Sequence, residues 1–381
     1  MKIVSLAMPF WIAVTVLVTW LSPRSWQPRV MIAATVASLI VYSPVSLVLL
    51  AFLSLCTYLL TRRRTESMLP MVVVIGLTVL LLMMYKWNRS VDPRDPGFVL
   101  IPLGLSYYAL RIIHFVSDSW RGSIHRVPAL DFFAYMFFLP VLPAGPINRF
   151  QGFQRSLRRR RWDAVLFSRG CERILYGYVK IVFLANFLVN RELAGFIAGA
   201  SFPGVHVQQY LECVKYGLNL YFQFSGYSDV AIGFALLLGF RVEENFHFPF
   251  LAVNIGDFWK RWHMTLSSWC RDYIYISVRA LHGSPGLAVV TAMLVLGAWH
   301  EFSWRYIVWG LYHGAGIALW QAFQRVKPRL PARRGVAGMM RSVFSWGLTM
   351  NFVILGFAIT KEPDLRSAWR VFRTLLGVGA P

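Results

Sequence analysis

"LGAWHEFSWRYIVWGLYHGAGIAL", residues 296–319, carries His300, Glu301 and His313 within two apolar segments. Ionisable groups at membrane depth are costly and usually mark function. Residues 286–303 read as an outward passage and 305–323 as the return, with a turn at Ser303–Arg305. This one stretch sets both the fold class and the place to look for chemistry.

Working outward, the rest of the chain has the same character. Of 381 residues, 57% are hydrophobic and only 15% charged, against about 25% charged in an ordinary soluble domain. Further apolar runs fall at 3–21, 30–60, 68–86, 98–117, 168–192, 208–240 and 339–360. The run 30–60 has Pro44 at its middle and basic flanks on both sides, which predicts a two-helix hairpin. The expectation is an all-α polytopic membrane protein of roughly ten membrane segments, forming one domain over 1–381. The first run lacks a small-residue cleavage site and reads as a span with its N-terminus outside. The loop "KWNRSVDPRDPG" (86–97) then lies outside as well.

Formal net charge is +22, which in a soluble chain would suggest nucleic acid. Here the cations cluster between apolar runs, at Arg62 to Arg64, at Arg155 and Arg158 to Arg161, and at Arg325, Lys327, Arg329, Arg333 and Arg334. That is the positive-inside pattern, with a contribution from membrane lipids, and no nucleic-acid partner is expected. The four cysteines form no CxxC pair, and no His/Cys spacing resembles a zinc site, so no metal is expected.

Two stretches break the hydropathy pattern. The apolar core at 129–143, within "ALDFFAYMFFLPVLPAGPINRF", is too short to span, and Pro140, Pro143 and Pro146 would break a straight helix there. It reads as a re-entrant or interfacial segment, which protein or a cavity must shield. Residues 241–283 are too polar to cross lipid and too apolar for a simple loop. They contain "FWKRWHMTLSSWCRDYIYIS" (258–277) and read as helices inside the protein at the cytoplasmic face.

Each polar candidate has a structural reading beside the functional one. His114 is expected to hydrogen-bond and pack. For His313, packing and function stay open. Asp229 suits a charge pair with Arg111 or Arg261, though a helix cap or a histidine-orienting role is also possible. His300, flanked by Trp299 and Glu301, favours function. A neutral imidazole in a dry pocket accepts a proton near neutral pH. No GxSxG elbow, P-loop or HExxH occurs, so direct transfer fits: one substrate brings the activated group and a histidine deprotonates the other's hydroxyl.

The run "NFHFPFLAVNIGDFWKRWHMTLSSWCRDYIYIS" (245–277) resembles the signature of the membrane-bound O-acyltransferases, in the bacterial branch that includes alginate O-acetylation and teichoic acid D-alanylation. The segments at 101–122, 137–153, 221–240 and 297–314 agree in family order. The resemblance implies a helical bundle around a transmembrane tunnel in the bacterial plasma (inner) membrane. It also implies no bound cofactor, an acyl thioester donor (acetyl-CoA or an acyl-carrier protein) arriving from the cytoplasm, and a polysaccharide or a periplasmic acyltransferase receiving the group on the outer side.

The family's catalytic histidine falls on His300, and its second motif position on His263. Trp259, Lys260, Arg261, Trp262, Asn254, His313 and Asp229 are the implied substrate-binding set, with Arg271 as a further cation for the donor. Acetyl transfer to an exopolysaccharide is the leading expectation and D-alanyl transfer the alternative. A transporter or a non-catalytic export subunit is the reading outside the class. Two features depart from the branch: Glu301 replaces the usual glycine, and the chain ends soon after "MNFVILGFAITKEPDLRSAWRVFRTLLG", nearer the D-alanyl type in length.

Overall fold

Pro44 interrupts the 30–60 run as expected, because its ring cannot continue the preceding helix. α2 (Gln27–Tyr42) stops before extended Ser43, and Pro44 opens α3 (Pro44–Thr61). The computed structural model describes residues 7–62, 67–87, 102–326, 335–375 and 377. The cations Arg63, Arg64, Lys327, Arg329, Arg333 and Arg334 lie outside the described residues, as do most of the 86–97 loop and the start of the 98–117 run.

The chain divides into two compact units, Met1–Gly177 with Tyr227–Glu243, and Tyr178–Gly226 with Glu244–Pro381. The first unit holds α1 (Ala7–Leu21), α2 and α3. It continues with α4 (Leu69–Trp87), α5 (Leu105–Trp120), α6 (Ala129–Met136), α7 (Phe150–Arg159) and all but the last residue of α8 (Ala164–Tyr178). α6 ends after eight residues, and Leu139–Val141 makes one tight turn around Pro140. Its backbone is shielded by protein, with Phe132, Tyr135, Phe138 and Val141 all buried. Phe138, Phe153 and Phe240 pack at 4.7–5.1 Å between ring centroids, Phe153 stacked on Phe240, and form the unit's aromatic core. Each such ring contributes roughly 1.5–3 kcal/mol by burial. His114 accepts a hydrogen bond from the Phe150 amide through Nε2 at 2.9 Å, the packing role expected of it.

In the second unit, α8 runs on through Val179–Leu193 into α9 (Ala194–Gly199). α10 (Val205–Leu237) gives this unit its residues up to Gly226. Residues 241–283 form no span. They hold the short helices α11 (Ile255–Trp259), α12 (Met264–Cys270) and α13 (Ile276–His282). α14 (Pro285–His300), α15 (Trp304–Val326), α16 (Val336–Lys361) and α17 (Leu365–Leu375) complete the unit.

The protein is an all-helical, multi-pass membrane protein among its described residues. Among the described residues, four helical runs are long and apolar enough to cross a membrane: Pro44–Thr61, Leu69–Trp87, Ala164–Gly199 and Val336–Lys361. Met8–Leu21, Gln27–Tyr42, Ala129–Val141 and Pro285–His300 are shorter apolar helices. Three other expected spans, α5, α10 and α15, carry Arg111, Asp229 and His313 turned into protein, not lipid.

Candidate functional site

The polar run at 258–277 is held by a local backbone clasp. Asn254 caps α11, its Oδ1 accepting from the Asp257 amide at 2.8 Å. Asp257 pairs with Arg261 one turn later at 2.9 Å. Opposite, the His247 amide donates to the Arg261 carbonyl at 2.9 Å and the Met264 amide to the Asn245 carbonyl at 2.8 Å. Thr265 Oγ1 donates to buried Asn245 Oδ1 at 2.6 Å. His263 is thus fixed from both sides.

It is fixed in a costly conformation. His263 has φ 43° and ψ 53°, the left-handed region. A non-glycine residue there costs about 1–2 kcal/mol, and such strain persists where the surroundings over-determine it. The ring is buried, with Phe224 edge-on at 4.6 Å and Trp299 at 6.0 Å. Nε2 has no hydrogen-bond partner among the described residues. Burial pushes the imidazole's pKa well below the ordinary value, and His300 nearby pushes the same way. His263 is therefore neutral at neutral pH.

His300 is the last residue of α14, and its ring lies 6.4 Å from that of His263. α14 and α15 approach closely enough to place it through Gly297 and Gly310. A Cβ at Gly297 would lie 2.3 Å from the Tyr306 carbonyl oxygen, and one at Gly310 2.6 Å from that of Met293. Tyr306 and Trp309 consequently face His300, each at 5.8 Å. Trp309 reaches His313 at 5.0 Å, and Trp259 reaches His313 at 5.4 Å. One continuous aromatic row joins His263, His300 and His313. His313 is buried, its Nδ1 has no hydrogen-bond partner among the described residues, and the backbone of Gly356 leaves room for its other nitrogen.

Glu301 is neutralised locally. Its carboxylate accepts from Arg305, four residues on at the start of α15, at 2.8 Å. Arg305 also donates to the carbonyls of Thr360 and Glu362. Arg305 thus ties the acid beside the histidine to the end of α16.

A cavity of about 490 Å³ borders the same elements. Its apolar wall includes Trp259, Met264, Met293 and Leu296, and Lys260 and Arg271 stand on its polar side. Arg271 pairs with Asp272 at 2.9 Å, and Lys260 is exposed.

The predicted residues separate clearly. His263, His300, His313, Trp259 and Trp262 share one aromatic assembly, in which Trp262 stacks on Phe258 at 5.5 Å. Asn254 and Arg261 hold local backbone, and Lys260 lines the cavity. Asp229 lies in the first unit and accepts from Arg173 at 2.7 Å. The charge pair expected for it forms, but with a partner other than the expected Arg111 or Arg261. Arg111 instead covers the Tyr135 ring at 4.3 Å. Asn245, Phe224, Tyr306 and Trp309 were missed. Tyr306, Trp309 and His313 recur at i, i+3 and i+7, a helical-face signal that was legible. The roles of Asn245 and Phe224 depend on contacts 19 to 39 residues away and left no local signal.

The model of the membrane-bound O-acyltransferase family matches residues 50–359. The chain belongs to that family. It is 34% identical over 294 residues to the probable alginate O-acetylase AlgI of Azotobacter vinelandii, covering 76% of this chain and 56% of the relative. The peptidoglycan O-acetyltransferase of Helicobacter pylori is 26% identical over 311 residues, covering 74% and 58%. The teichoic acid D-alanyltransferase of Streptococcus thermophilus is 28% identical over 279 residues, covering 68% and 67%. The chain spans about half the length of the alginate relatives it matches.

Proposed function

We propose that this protein is a plasma-membrane O-acyltransferase, working as one domain, that moves an acetyl group from a cytoplasmic thioester to a hydroxyl of an exported polysaccharide or of a periplasmic acyl-transfer partner. One observation carries the reading: two imidazoles, His263 and His300, stand 6.4 Å apart inside a single aromatic enclosure. A reacting group between them would meet both.

In this mechanism the acceptor hydroxyl attacks the thioester carbonyl carbon while His300 takes its proton. His263, neutral by burial, donates a hydrogen bond to the developing oxyanion or orients the donor. The tetrahedral intermediate collapses with cleavage of the C–S bond, and the leaving thiolate recovers the proton from His300. The cavity beside Trp259 and Met264 suits a thioester arm, and Lys260 and Arg271 suit the anionic end of coenzyme A or of an acyl carrier. Acetyl transfer is favoured by the higher identity to the alginate relatives. D-alanyl transfer is the second reading, supported by the teichoic acid relative.

The test measures ester-linked groups released from surface polymers by mild base, in wild type, a deletion strain, and the deletion complemented with wild-type or His300→Ala protein. Loss of acetate in the deletion, restored by wild type and not by well-expressed His300→Ala, is the expected result. Loss of D-alanine instead selects the second reading. Full restoration by His300→Ala overturns the catalytic role, for which a loss of about 10²–10⁴-fold is expected.

A further inference from the structure

A cavity of about 480 Å³ in the first unit lies at the shared end of α3, α4 and α5, and none of the residues given a role in the proposed reaction lines it. Leu60, Met71 and Val116 give it an apolar wall, and Arg62, His125 and Arg126 form its polar rim. Among the described residues that line it there is no acid. Arg126 holds φ 45°, a left-handed conformation that a non-glycine residue adopts at a cost. The backbone is strained at the position that supplies one of the cations.

The level of the cavity follows from the helices that meet there. α3 and α4 are each long and apolar enough to cross a membrane, and only 28% and 22% of their membrane windows are buried in protein. Most of their surface faces lipid, so their common end lies among the headgroups. Trp120 at the cavity is 42% exposed, the placement of an interfacial aromatic. A soluble anion would use the cations and leave the apolar wall idle. A lipid uses both.

We propose that this cavity is a binding site for an anionic glycerophospholipid. Its phosphate sits among Arg62, His125 and Arg126, and an acyl chain runs along Leu60 and Met71 toward the exposed faces of α3 and α4. The basic end of α3 places the lipid in the cytoplasmic leaflet.

The full-length protein is purified in a neutral detergent and titrated with phosphatidylglycerol, phosphatidylcholine or inorganic phosphate, reading the thermal midpoint and the bound lipid by native mass spectrometry. Phosphatidylglycerol is expected to bind and raise the midpoint, and the other two are not. Arg62→Gln, at an exposed helix end, raises the half-saturating concentration about fivefold, and Arg62→Gln with Arg126→Gly about thirtyfold. The glycine relieves the strained φ, so folding is not the variable. Arg158→Gln with Arg159→Gln, on α7, leaves the titration unchanged. Equal response to phosphatidylcholine, saturation by inorganic phosphate alone, or an unchanged titration in the Arg62→Gln and double variants would each overturn the site.

Discussion

Gly297→Ala tests whether the contact between α14 and α15 sets the geometry of His300. The added Cβ would meet the Tyr306 carbonyl oxygen at 2.3 Å, where ordinary contact begins near 3.4 Å. The obstacle is backbone and cannot rotate away, so the helices must part by about 1 Å at that level. Tyr306 and Trp309 move with α15, and His300, three residues beyond Gly297, loses its register against them. Overpacking of this kind costs about 1–3 kcal/mol. A misplacement of about 1 Å at a catalytic group costs about 10²-fold in rate. The expected result is acyl transfer lowered about a hundredfold in a protein that still folds. Transfer is assayed with purified protein and labelled thioester. Gly286→Ala, on the same helix as Gly297, is the control, because its Cβ would meet only Ala318 of α15, at 4.0 Å, and full activity is expected there. Wild-type transfer by Gly297→Ala would refute the argument that close helix approach positions His300.

His263→Asn keeps a side chain that tolerates the left-handed backbone, whereas His263→Ala does not. Both should lose activity, but His263→Ala should lose about 1 kcal/mol more stability, read as a lower thermal midpoint in detergent. The pH dependence has a definite sign. His263 is depressed when folded, so its stabilisation is complete above the unfolded-state value of about 6.5 and is given up as pH falls from there toward the folded value. Thermal midpoints between pH 5 and 8 should therefore fall on acidification more steeply in wild type than in His263→Asn. Arg305→Met leaves the Glu301 carboxylate and two carbonyls without their donor and should cost about 2–3 kcal/mol. Glu301→Gln keeps the hydrogen bond and should cost under about 1 kcal/mol, by the same thermal measurement. Asn254→Ala removes the α11 cap and should cost about 1 kcal/mol.

The sequence by itself determined the membrane class and the order of the helices, because hydropathy and proline breaks act locally. The hairpin at Pro44, the interruption after Met136 and the non-spanning 241–283 region were all legible for that reason. The ends of α14 and α15 fell within a few residues of the expected passages. Tertiary structure alone decided which polar residues meet. Asp229 has a single sequence context, but its partner Arg173 lies 56 residues earlier, and no spacing rule links them. Glu301 beside His300 read as an unexplained departure until Arg305 and the end of α16 were seen to hold it. The left-handed turn at His263 arises from hydrogen bonds to residues 245–247, since a strained φ needs partners distant in sequence to maintain it. Composition fixes what must be buried; only the packed chain fixes against what.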